Sequence, residues 1–154
     1  MINFVATATM VIGLVVSAPR APQWETSYGK ALEETRAGQD PLLVVLDKPS
    51  SKEARLEPAL LSEDKATGEN SKLLKPYRLC HVDVSTEYGQ KVAEVFHAKE
   101  FPHVAIIDKT GSMVIFKKTG QIDEAEWQTI LTNKFNKSGE RPSLSCPNCQ
   151  RNKF

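Results

Sequence analysis

Cys146-Pro147-Asn148-Cys149 is the one stretch of this chain whose residue types and spacing speak directly of chemistry. A Cys-x-x-Cys pair suits a redox disulfide, half of a tetrahedral zinc site, or a small structural loop. A redox pair gains its reactivity at the start of a helix, where the dipole stabilises the thiolate, and the polar sequence after Pro142 carries no helical periodicity. Zinc needs four ligands and this pair supplies two. The others would come from His81, His97 or His103, or from a second copy of the chain. A plain tail disulfide, or idle thiols, is the simplest of these readings.

The remaining reactive side chains are scattered. His81, His97 and His103 fall on three different elements, so each reads as a hydrogen-bonded histidine rather than a ligand. Cys80 sits within an apolar strand and reads as an inert filler. Ser50 and Ser51 could be nucleophiles by type, but no Gly-x-Ser-x-Gly elbow or nearby base accompanies them. Pro49-Ser50-Ser51 is therefore expected to cap a helix.

These residues are carried on elements of mixed α and β periodicity. Trp24, Tyr28, Ala31, Leu32 and Thr35 recur at the offsets of one helical face, and Gly38 closes that helix. Leu42 to Leu46 is a continuous apolar run between Pro41 and Asp47, the pattern of a strand buried on both faces. Asp47 reads as a turn or cap residue. Leu56, Leu60 and Leu61 predict one helix and Leu73 and Leu74 another turn or two, with residues 62–71 as a loop. Tyr77 to Val84 is a second strand, and Tyr88, Val92, Val95 and Phe96 form a second helical stripe. The strand His103 to Asp108 then turns through Gly111 into Met113 to Phe116, Gly111 supplying the positive φ of a short hairpin. A last helix starts at Asp123 as N-cap with Glu126 three residues on, burying Trp127, Ile130, Leu131 and Phe135.

Composition bounds what these elements can do. With 154 residues, 40% of them hydrophobic, the chain suits one domain with terminal extensions. A formal net charge of +1 excludes the basic stripe of a nucleic-acid binder. The local excess of Lys134, Lys137, Arg141, Arg151 and Lys153 over Glu140 reads as a soluble tail. Residues 2–16 carry no charge and lead to Val16-Ser17-Ala18, a pattern of the kind signal peptidase cuts. The run is short for a membrane span, so residues 1–18 are expected to be a secretory signal, with an uncleaved membrane anchor as the alternative. Residues 19–23 then form a linker and 137–154 a polar tail.

Several short motifs lie in a telling order: Pro58-Ala59-Leu60, Val82-Asp83-Val84, Phe101-Pro102 and Lys118-Thr119-Gly120. Together with the order strand, helix, strand, helix, X-Pro, hairpin, Gly, helix, they resemble the thioredoxin-like family over residues 24–136. The resemblance implies an α/β three-layer sandwich, a central mixed sheet flanked by helices, with Phe101-Pro102 as a cis-proline dipeptide. It puts the family's dithiol slot at Ser50, Ser51, Lys52 and Glu53, and makes Asp47 a counterpart of its buried acid. The slot holds no sulfur, and dithiol exchange needs an attacking thiolate and a resolving thiol. The chain is thus expected to be a non-catalytic, exported binding or scaffold module without cofactor. It would hold protein or peptide at Ser50 to Glu53, Phe101, Pro102 and His103. A thiol-disulfide oxidoreductase working through Cys146 and Cys149, and a zinc-bound dimer through the same pair, are the alternatives.

Overall fold

The computed structural model describes residues 23–62 and 69–132. The elements are β1 (Trp24–Glu25), α1 (Tyr28–Gly38), β2 (Leu42–Asp47), α2 (Pro58–Leu61), α3 (Glu69–Leu74), β3 (Arg78–Asp83), α4 (Glu87–Phe96), β4 (His103–Ile107), β5 (Val114–Thr119) and α5 (Glu124–Thr132). The strands form one mixed sheet in the order β1-β3-β2-β4-β5. β3 runs parallel to both β1 and β2, whereas β4 is antiparallel to β2 and β5.

The central strand explains the layering. Leu42 to Leu46 are all fully buried, and successive side chains of a strand point to opposite faces. Leu43 and Val45 pack with Leu60, Leu74, Leu79, Trp127 and Ile130, under α2, α3 and α5. Leu42, Val44 and Leu46 pack with Ala31, Cys80, Val92 and Phe96, under α1 and α4. Each such side chain removed from water is worth about 1.5–3 kcal/mol, so the two apolar layers hold the sandwich together.

Helix starts follow local chemistry. Ser27 caps α1 by accepting from the Lys30 N–H, and Thr86 caps α4 by accepting from that of Gly89. Asp123 Oδ1 accepts from the Glu126 N–H at 2.7 Å, capping α5. The Ser27 cap corrects the placement of Trp24, which lies not on the first helix but in β1, paired with Leu79. Gly38 is the last residue of α1, and Gln39 takes the left-handed cap at φ 58°. Val95 is 63% exposed, so the buried stripe of α4 runs through Gly89, Val92, Ala93 and Phe96 instead.

The largest departure from the sequence expectation lies between β2 and β3. No helix spans Leu56 to Leu61; α2 begins only at Pro58. Proline disfavours helical torsions in the residue before it, and Glu57 accordingly sits at ψ 124°. Residues 48–57 are a loop as a consequence, while Glu69 to Ser71, expected in a loop, belong to α3.

The hairpin between β4 and β5 turns on Asp108 and Gly111, the latter at φ 67°. Asp108 Oδ1 accepts from the Ser112 and Met113 N–H groups at 2.9 and 3.0 Å. Burial is the largest single influence and pushes this carboxyl up, but hydrogen bonds from the Thr110 hydroxyl and from backbone N–H groups together outweigh it and hold its pKa below the usual range.

Candidate functional site

The loop that follows β2 is closed by its own backbone. Lys48 N–H donates to the Ala54 carbonyl and Ser51 N–H to that of Lys48, both at 2.9 Å. Gln121, just beyond Gly120, ties the loop from the far side: its Nε2 donates to the Glu53 carbonyl at 2.7 Å and to that of Arg55 at 3.4 Å. Ser50, Lys52 and Glu53 are exposed and Ser51 half-buried. Neither serine caps a helix, contrary to expectation, because Glu57 occupies the N-cap position of α2.

A second segment meets this loop. The Phe101–Pro102 peptide is cis, and the Pro102 carbonyl accepts from Gly120 N–H at 2.9 Å. Lys48 Nζ lies 5.5 Å from the centroid of the Phe101 ring, within cation–π range. Residues 48–54, Phe101-Pro102 and Gly120-Gln121 are thereby gathered at one end of the sheet. His103 joins from beneath rather than at the surface. It is 4% exposed, its ring lies 6.3 Å from that of Phe96, and its Nδ1 is 3.0 Å from Thr119 Oγ1. Burial, with a smaller contribution from the Lys117 charge, pushes its pKa down, so the ring is neutral at pH 7.

Sequence reasoning missed the pair under the loop. Asp47 is fully buried in the last position of β2, a strand residue rather than the turn or cap residue expected from its type, and buried as the resemblance implies. Its Oδ2 accepts from the Leu56 N–H at 3.0 Å and its Oδ1 lies 2.8 Å from His81 Nε2. His81 stays partly open to solvent, with its ring edge-on to Trp24 at 6.1 Å. Trp24 in turn donates its indole N–H to the Leu61 carbonyl at 2.8 Å. Strand parity was the available signal: Leu43, Val45 and Asp47 share one face of β2, Leu79 and His81 the same face of β3, and the two strands pair in parallel. The carboxylate thus anchors the loop to β3 through one backbone amide and one imidazole.

Among the described residues, none at this end of the sheet is a cysteine. Cys80 is the free cysteine among the described residues and is fully buried. Burial, helped by the Glu25 charge, pushes its thiol up to about 12, so the thiolate is not populated at neutral pH. Cys146 and Cys149 lie outside the described residues, as does the expected signal at 1–18. Among the described residues, no group of three or more His, Cys, Asp or Glu side chains is arranged to hold a metal ion. His97 stands apart, in the left-handed C-cap of α4.

No protein-family model matches the chain. No curated protein matches it either. Solved structures do. A poplar thioredoxin h mutant superposes with a TM-score of 0.58 at 14% identity, over 85% of this chain and 94% of that one. A thioredoxin from Thermus thermophilus gives 0.57 at 18% identity, over 73% and 85%. Thioredoxin O2 from Arabidopsis thaliana in its oxidized state gives 0.56 at 13%, over 72% and 91%. The chain has a thioredoxin-like fold. At such identities the likeness is one of fold; the loop after β2 is thiol-free, non-helical, and pinned by Asp47 and Gln121.

Proposed function

We propose that this chain is an exported thioredoxin-fold binding module that holds a segment of a partner protein without exchanging disulfides at its slot. The surface consists of Ser50, Ser51, Lys52 and Glu53 with Phe101 and Pro102, and His103 supports it from below. One observation carries the reading: the loop at the slot is sulfur-free and held at both ends, by Asp47 to the Leu56 amide and by Gln121 to the Glu53 carbonyl. A pre-ordered loop loses little entropy when a partner docks, which favours recognition over chemistry. Serine hydroxyls at neutral pH neither attack a disulfide nor resolve one. Export rests on the apolar N-terminal run before Val16-Ser17-Ala18.

The test is selection of peptides from a random library on the immobilised full chain, followed by rebinding to Ser50→Trp and Lys52→Glu variants. Both positions are exposed, so neither change should disturb the fold. At least a tenfold loss of affinity in both is expected, since about 1.4 kcal/mol at a contact is tenfold. Selected peptides that bind both variants as tightly as the unaltered chain would place recognition elsewhere.

A further inference from the structure

A cavity of about 280 Å³ opens between α2, α3 and α5. Leu60, Leu73 and Trp127 form its apolar wall, and the exposed Glu57 and Glu124 also line it. Asn70 sets its shape. The Asn70 Nδ2 donates to the Leu60 carbonyl at 2.9 Å and the Ser62 carbonyl at 3.0 Å, while its Oδ1 accepts from Trp127 Nε1–H at 3.1 Å. One side chain therefore joins the end of α2, the start of α3 and the middle of α5, and the cavity is preformed.

Neither carboxylate is held by a side-chain hydrogen bond among the described residues. Both stand at helix starts, where negative charge is favourable, but Glu57 makes no capping hydrogen bond to α2. The cap of α5 is Asp123, not Glu124. Neither glutamate enters an ion pair among the described residues, in contrast to Glu25, Glu34, Glu87 and Glu126. An apolar cavity lined by two glutamates that form no ion pair among the described residues is complementary to a long aliphatic side chain that ends in a cation. The volume lies just below the roughly 300–1,000 Å³ of small-molecule sites, a size for one inserted side chain rather than a cofactor.

We infer that this cavity is a docking pocket for a single arginine side chain of a protein partner. The methylene stem would lie along Leu60, Leu73 and the Trp127 indole, with the guanidinium between Glu57 and Glu124. Arginine suits the site better than lysine because its planar fork can bond two carboxylates at once. The pocket shares no residue with the slot surface, so binding at each is measured separately.

The Trp127 indole N–H, bonded to Asn70 inside the pocket, is the reporter. In ¹H–¹⁵N spectra of the full chain, N-acetyl-arginine amide should shift that resonance saturably. N-acetyl-citrulline amide, which keeps the shape and lacks the charge, should bind about tenfold or more weakly, because charge-assisted hydrogen bonds are lost. Added salt should weaken the arginine response. A Glu57→Gln/Glu124→Gln variant should lose it, its fold checked by the rest of the spectrum. Equal binding of citrulline, or no saturable shift of the Trp127 resonance with arginine, overturns the inference on the unaltered chain, whatever the variant does.

Discussion

Replacing Asp47 by alanine tests the hidden anchor of the slot loop. The change removes both hydrogen bonds of a fully buried carboxylate, to Leu56 N–H at 3.0 Å and to His81 Nε2 at 2.8 Å. Leu56 is itself fully buried, so its N–H is left without a partner, a loss of about 1–3 kcal/mol. His81 keeps 28% of its side chain exposed and can turn to water, so its share is smaller, about 1 kcal/mol. The missing imidazole partner is thus far from the 3–5 kcal/mol of a fully buried broken pair. Asp47→Ala should cost about 2–4 kcal/mol in urea unfolding and lower the melting midpoint by roughly 8–32 °C, taking about 4–8 °C per kcal/mol for a small domain. His81→Ala leaves the buried Asp47 Oδ1 without its partner and should itself cost about 1–3 kcal/mol. Hydrogen exchange gives the local reading: the Leu56 amide should lose protection in Asp47→Ala while amides of β4 keep theirs relative to global stability. A cost below about 0.5 kcal/mol with Leu56 still protected would refute the anchoring role.

Two further perturbations address other parts of the frame. Because burial lowers the His103 pKa, the unfolded chain takes up the proton first; the stability this neutral ring contributes is present above the unfolded value near 6.5 and is lost as pH falls through the folded value. His103→Gln should flatten the fall in stability below pH ~6.5, and an unchanged pH profile in chemical denaturation would argue against it. Gly89→Ala in α4 would put a Cβ 2.0 Å from the Asp83 carbonyl oxygen. Displacing α4 from the end of β3 should destabilise by about 1–3 kcal/mol, despite alanine's better helix propensity, and a variant as stable as the parent would contradict that close approach.

How much of this was visible beforehand depended on whether the signal was local. The β2 run, the Gly111 turn and the Asp123 cap are local patterns, and each reads through to the fold. Trp24 was misplaced because its spacing to Tyr28 and Ala31 suits a helix, while the opposing signal, Ser27 as cap, is a single residue. The missing helix before α2 has a local cause too: Pro58 restricts Glu57, a cue that the helical spacing of Leu56 to Leu60 masks. The Asp47–His81 pair needed parity and parallel pairing together, since the residues are 34 positions apart. The Gln121 clamp on Glu53, across 68 positions, left no trace in either segment alone. The site was therefore legible in what it lacks, the thiols, and not in what holds it.

The most direct measurement is reduction of insulin disulfides by the purified full-length chain, run beside a Cys146→Ser/Cys149→Ser variant and a free-thiol control. Both proteins are expected to match the control, because the slot carries no sulfur and burial raises the Cys80 thiol to about 12. Turnover above the control that persists in the double variant would contradict a binding module outright. Turnover in the full-length chain that vanishes in the variant would instead contradict it by locating exchange chemistry in the Cys146-Pro147-Asn148-Cys149 tail.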